Sequence, residues 1–286
     1  MRFSCYGFSA LAVGFLVFLV GLFVWESFPV WQHAGWSYLS GPKWYYRKEI
    51  FGALSMIYGT VAVSLVAMIL AVPIGLGAAI FTSEYLPPRA RLAAKIVIEL
   101  LAGVPSVVYG LLGILFLRNW VYQWLAPLDP ISGDTLLTAA LLLAVMVLPT
   151  MMTLSDDALQ SISWLQRNAA RGLGLTHAET IFHITLPQAR PGLIAAILLA
   201  LGRALGETIA VFLVVGRQDN RWPVNVFSWR PLTEAGQTLT SKLGGSETNI
   251  AYGNPLHWAA IVGLGLVLLT MAGLCTVAAD RLNPRD

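Results

Sequence analysis

Long apolar runs alternate with short polar stretches along nearly the whole chain. Six runs approach the roughly 20 residues a helix needs to cross a bilayer. They are Phe8–Trp25, Ala53–Phe81, Ile96–Leu117, Leu136–Leu154, Gly192–Gly216 and Leu256–Ala279. Hydrocarbon cannot hydrate a peptide group, so each run predicts a helix that closes its own backbone bonds. The expected fold class is therefore all-α: a polytopic membrane protein with six transmembrane helices, one transmembrane domain over residues 1–286. Pro73 and Pro105 interrupt the second and third runs. Each removes a donor and crowds the preceding turn, so a bend is expected, either tolerated or shaping a pathway. The first run follows Arg2, exceeds the usual signal-peptide core of about 7–15 residues and has no A-x-A-like site after it. It reads as a retained helix.

One polar stretch breaks the rhythm. Asp156–Pro187 is an amphipathic insert between the fourth and fifth runs. From Ala158 to Leu173, Leu159, Ile162, Leu165, Ala169 and Leu173 recur at helical spacing. Asp156 and Asp157 precede them as a helix-start signal, and Gly174 stands where a helix would stop. A second short helix is expected over about Ala178–Thr185, ending near Leu186-Pro187. Such a knob is either a surface helix among headgroups or a plug for a soluble partner.

Composition agrees with a membrane protein. The chain is 57% hydrophobic and 12% charged, against about 25% charged in soluble domains. A net charge of +3 is too small to argue for nucleic acid. Cys5 and Cys275 form no metal-ligand spacing and read as reduced small hydrophobes. The loop Thr82–Lys95 carries Arg89, Arg91 and Lys95, whereas Asn119–Thr135 holds Asp129 and Asp134 and no Lys or Arg. These two loops put the first of them in the cytoplasm. Counted over the whole chain, nine basic residues on that side face eight on the other, so charge alone leaves orientation open. Glu26–Gly52, rich in Trp and Tyr, reads as an interfacial aromatic belt. Arg217–Pro255 is long and polar enough to dock a soluble partner. His177 and His183 lack the spacing of a helical metal pair and read as surface histidines.

The fifth run carries the main chemical oddity, Leu201-Gly-Arg203-Ala-Leu-Gly-Glu207-Thr208. A charge at mid-bilayer costs about 2.5–3.5 kcal/mol even on a lenient scale, so such residues face protein or water. At i and i+4, Arg203 and Glu207 would share a helix face, and Gly202 and Gly206 would let another helix approach. The pair is either a structural ion pair or part of an anion pathway.

Within the insert, Asn168-Ala169-Ala170, then Gly174, then Ile184-Thr185-Leu186-Pro187 resembles the EAA loop of ABC-importer permeases, E-A-A, three residues, G, nine residues, I-x-L-P. Asn168 departs from the glutamate of that pattern. Leu201–Thr208 and Gly103–Gly110 (GVPSVVYG) are similar to segments of the membrane subunits of bacterial phosphate-specific ABC importers, closer to the C-type than to the A-type subunit. The likeness runs from about Ala53 onward. It implies the type I permease fold, with 156–187 as the cytoplasmic coupling loop. It also implies an ATP-driven importer of inorganic phosphate, whose pathway would use Arg203, Glu207 and Thr208. Asn168, Ala169, Ala170, Gly174, Ile184, Leu186 and Pro187 would contact the ATPase. The partners implied are two copies of an ATP-binding subunit, a second related permease and a periplasmic phosphate-binding protein. Location would be the inner membrane with both termini cytoplasmic. The chain carries no Walker A sequence. It is expected to be no enzyme and to bind no cofactor, ATP and Mg belonging to the partner ATPase. A permease for molybdate, tungstate or sulfate, or a proton-coupled secondary transporter, are the alternatives.

Overall fold

A computed structural model describes residues 2–128, 131–223, 225 and 228–282. The side chains of Arg2 and Cys5, together with Asp129 and Arg285, lie outside the described residues. Helix α1 (Arg2–Ala34) is followed by a short α2 (Ser37–Ser40) and a two-stranded hairpin, β1 (Trp44–Tyr45) and β2 (Ile50–Phe51). Then come α3 (Leu54–Ile80), α4 (Pro88–Ala102), α5 (Ser106–Leu112), α6 (Arg118–Leu125) and α7 (Leu136–Gln160). The insert contributes α8 (Trp164–Gly172) and α9 (His177–Thr180), and α10 (Leu186–Leu205) and α11 (Ile209–Val214) follow. The chain closes with α12 (Leu239–Leu243), α13 (Glu247–Ala251) and α14 (Pro255–Leu282). Among the described residues five helical stretches are long and apolar enough to cross a membrane, and six if a bent pair, Pro88–Ala102 with Ser106–Leu125, is counted as one span.

That bent pair is the third run, and it is not one kinked helix beginning at Ile96. Its first arm starts at Pro88, a residue with no N–H to lose at a helix start. It stops at Gly103, and the axis turns by 83° before Ser106. Pro105 disfavours helix at Val104 and removes a donor, so the chain pivots there. Pro73 has no such effect: α3 runs through it unbroken.

The core lies where α3, α7, α10 and α11 pack, filled by Val63, Ala67, Ala71, Leu143, Val147, Ala200 and Val214. Small residues let the helices approach; a Cβ on Gly75 would sit 2.8 Å from Met151 Cγ. By contrast, α1 leaves its apolar window unburied within this chain, and it packs against α14 where Phe23 meets Gly265.

The aromatic loop is in part folded into the protein rather than laid out as a belt. Tyr38 and Trp44 are buried in a second core with Val30, Phe51, Met56, Leu239 and Leu264, on the face opposite the insert. Tyr38 donates its hydroxyl to the Ala260 carbonyl at 2.8 Å. Trp36 and Tyr45 do remain exposed. The same face holds a buried charge cluster. Lys242, 2% exposed, donates to Asp219 Oδ2 at 2.6 Å and pairs with Glu247. Glu247 also accepts from Trp44 Nε1 at 2.6 Å and faces His257 Nε2 at 2.8 Å. This cluster fastens the hairpin to α12, α13 and α14.

Candidate functional site: the insert and the broken fifth span

The insert begins later than the acidic pair suggested. Asp156 and Asp157 belong to the last turns of α7, not to the start of the next helix. Asp156 accepts from Arg91 at 3.0 Å and Asp157 from Lys95 at 3.4 Å, so they tie α7 to α4. Ser163 is the true cap of α8, accepting from Gln166 N. Helix α8 is therefore Trp164–Gly172 rather than one helix from Ala158 to Leu173. It ends as expected at Gly174, whose φ of +94° is the left-handed geometry glycine tolerates. Gly174 N bonds to the Arg171 carbonyl and Leu175 N to the Ala170 carbonyl, two bonds that close the helix end. A Cβ at Gly174 meets nothing within 4 Å. Gly174→Ala thus costs only the backbone strain, about 1–2 kcal/mol. The expected result is faster amide exchange across residues 171–176 in the purified protein; unchanged exchange would show that the corner tolerates a side chain.

Past the corner, Thr176 and Glu179 form a reciprocal capping box at the start of α9. The second helical run does not end near Leu186-Pro187. It continues through a π-turn, Ile181–Thr185, directly into α10, so insert and fifth span share one continuous helical stretch, His177–Leu205. Pro187 is accommodated in the first turn of α10. Of the EAA positions, Asn168, Ala169 and Gly174 are exposed, Ala170 is buried, and Ile184, Leu186 and Pro187 are half-buried. Trp164, Leu165 and Leu173 stand exposed beside them, an apolar face with no cover in this chain. His177 is not a free surface histidine. Its Nε2 lies 3.1 Å from the Glu84 carbonyl and its Nδ1 2.6 Å from Arg171 Nη2. His183 is exposed.

The charged segment of the fifth run departs from a shared helix face. Helix α10 stops at Leu205, Gly206 caps it, and α11 restarts at Ile209. Arg203 therefore lies in the last turn of α10 and Glu207 within the break that follows, and the two are not paired. Arg203, exposed on this chain, donates Nη1 to Thr150 Oγ1 at 2.7 Å. Glu207 accepts from Ala210 N at 3.4 Å, capping α11 across the break. Thr208 donates to the Gly206 carbonyl at 3.2 Å. Of the two glycines, Gly202 does receive a neighbour, α14 at Ala272 and Cys275, whereas Gly206 meets only its own helix. The second halves of the two broken spans pack together: a Cβ on Gly110 of α5 would lie 3.2 Å from Ala210 Cα of α11. Thr150, one residue after Pro149 in α7, is a contact that the linear pattern does not reveal.

This geometry has known relatives. Residues 71–285 match the family described as binding-protein-dependent transport system inner membrane component. The phosphate transport system permease protein PstC of Mesorhizobium japonicum is 34% identical, over 94% of this chain and 86% of that protein. PstC 1 of Mycobacterium tuberculosis is 37% identical over 80% of this chain and 71% of that protein. Among solved structures, a bacterial alginate ABC transporter bound to its periplasmic protein superposes with a TM-score of 0.62 at 17% identity, over 96% of this chain and 93% of that one. The inward-facing MetNI methionine ABC transporter gives 0.57 at 17% identity, over 80% and 95%. These likenesses show the type I ABC-importer permease fold. The chain accordingly belongs to the binding-protein-dependent transport system inner membrane components, within the group of the PstC phosphate transport system permease proteins.

Proposed function

We propose that this chain is one transmembrane subunit of an ATP-driven importer that carries inorganic phosphate across the bacterial inner membrane, with both termini in the cytoplasm. The observation that carries the reading is the EAA insert, folded as an exposed knob and continuous with the broken span that bears Arg203. The likeness to PstC proteins over nearly the whole chain supports phosphate as the cargo.

In this reading a periplasmic binding protein delivers phosphate to the face opposite the insert. The pathway lies between this chain and a second, related permease. Two copies of an ATP-binding subunit receive the coupling helices, with Trp164, Leu165, Asn168 and Ala169 turned toward one of them. Because α9 and α10 form one stretch, a push on the insert moves Arg203 without an intervening loop. Arg203 offers a positive charge to the anion. Glu207, kept apart from it by the break, and Thr208 line the same unwound turn. The chain binds no cofactor and hydrolyses nothing itself, ATP and Mg being held by the partner.

The test is a pull-down from solubilised native membranes, comparing the wild-type chain with Gly174→Pro. Recovery of an ATPase and a second permease with the wild type, and loss of the ATPase with the variant, is expected. Recovery of the chain alone, with uptake persisting after ATP depletion, would instead establish a secondary transporter.

A further inference from the structure

We propose that Glu84, at the insert-side end of the second span, is the residue through which the insert grips the spans; this rests on the reading of the insert as the ATPase-coupling element. Arg167 of α8 donates Nη1 to Glu84 Oε1 at 2.5 Å and Nη2 to the Leu159 carbonyl at 2.5 Å. The Glu84 side chain is 3% exposed and that of Arg167 16%. One guanidinium thus joins the insert, the turn that ends α3 and the last turn of α7. The other arm of the insert reaches the same residue, through His177 Nε2 and the Glu84 carbonyl at 3.1 Å. Position 168, acidic in the EAA pattern, carries no charge here. The neighbouring charge is a cation, Arg167, and the carboxylate that meets it, Glu84, belongs to the second span.

A buried pair of this kind transmits motion well. Guanidinium and carboxylate fix direction as well as distance, and neither partner can leave without stranding the other as an unpaired buried charge. Its surroundings are built to rearrange. Two π-turns, Phe81–Tyr85 and Ile181–Thr185, flank it at the ends of the second and fifth spans, and such turns recur at functional sites. The same elements carry buried polar atoms without a hydrogen-bond partner: Ser83 Oγ, Ser155 Oγ, Thr185 Oγ1 and Arg167 Nε itself. Unpaired buried groups carry a penalty, although a helical hydroxyl has a carbonyl one turn back within reach. A second arrangement of these joints that satisfies them supplies the two states alternating access requires.

The test uses the reconstituted complex with its ATPase, second permease and binding protein. The variants are Glu84→Gln, Arg167→Gln and the exchange Glu84→Arg with Arg167→Glu. Each single variant is expected to retain the ATPase subunit and its ATP turnover, while phosphate imported per ATP falls about tenfold. The exchange is expected to restore several-fold of that loss. Glu84→Asp, which withdraws the charge by one methylene, serves if Glu84→Gln does not assemble; the ratio should then fall with assembly intact. A wild-type ratio in the single variants, or a loss of assembly that the exchange does not recover, would overturn the inference and leave the importer reading standing. A wild-type complex that imports phosphate without consuming ATP would overturn both.

Discussion

Replacing Lys242 by alanine is expected to destabilise the face opposite the insert by about 3–5 kcal/mol, the cost of stripping one member from a buried ion pair. Lys242 is 2% exposed and serves Asp219 and Glu247 together, with its ammonium 5.3 Å from the Trp44 ring centroid. Alanine leaves the Asp219 and Glu247 carboxylates without the cation they share, and Glu247 is the more buried of the two. The thermal midpoint of the detergent-purified protein measures the loss. Combining Lys242→Met with Asp219→Asn and Glu247→Gln should recover most of it, because neutral groups can be buried once the charges go together. A loss below about 1 kcal/mol would mean that the pair behaves as a solvated surface bridge. Acidity offers a second readout. Burial alone would raise the Glu247 pKa, but the Lys242 ammonium, with donors from Trp44 and His257, outweighs it and holds the carboxyl below its ordinary value. A carboxyl depressed in the folded state contributes its full stability above the ordinary glutamate range and loses it as pH falls through the folded value. The wild-type midpoint should therefore drop on acidification below that range. The midpoint of Glu247→Gln should change less there.

Arg203→Gln is expected to lower phosphate uptake between about tenfold and about a hundredfold in a complex that still contains its ATPase. Opposite charges 4 Å apart are worth about 4 kcal/mol at an effective dielectric of 20. Water returns part of that when the guanidinium goes, and about 1.4 kcal/mol in the barrier is tenfold in rate. Arg203 is exposed on this chain and held by a neutral partner, the Thr150 hydroxyl, so its positive charge is not cancelled within the subunit. Thr150→Val should reproduce a smaller part of the loss, because it frees the side chain without removing its charge. Radiolabelled phosphate uptake in proteoliposomes checks both. Wild-type uptake in Arg203→Gln would move the anion pathway elsewhere and leave Arg203 as a packing residue.

The spans were legible because a bilayer imposes length and apolarity on every crossing, and the insert because it violates both. The glycine corner was legible too, since few residues adopt φ of +94°. Less was readable where one residue type serves two geometries. Gly202 and Gly206 look alike in the sequence, yet one receives α14 and the other ends a helix. Asp156-Asp157 look like a helix start but close one, because the electrostatics of a first turn can be overridden by Arg91 and Lys95 on a neighbouring helix. The partners of Arg203 and Arg167 lie 53 and 83 residues away and leave no trace in local periodicity. Lys242 counted as one more charge of a polar loop, and only folding shows it interred. Thr176 and Glu179 stand in the T-x-x-E spacing of a capping box, a local signal that the apolar spacing alone passed over.

The pivot at Gly103–Pro105 and the gap at Gly206–Thr208 have a consequence for hydration. A helix that stops inside a membrane leaves carbonyls and amides that lipid cannot satisfy, so they must meet protein or water. Both interruptions belong to spans whose second halves, α5 and α11, touch at Gly110. In the proposed importer, the main chain at these interruptions would add its own polar surface to that of Arg203, Glu207 and Thr208. A substitution that mended either interruption would remove that surface while leaving every charge in place.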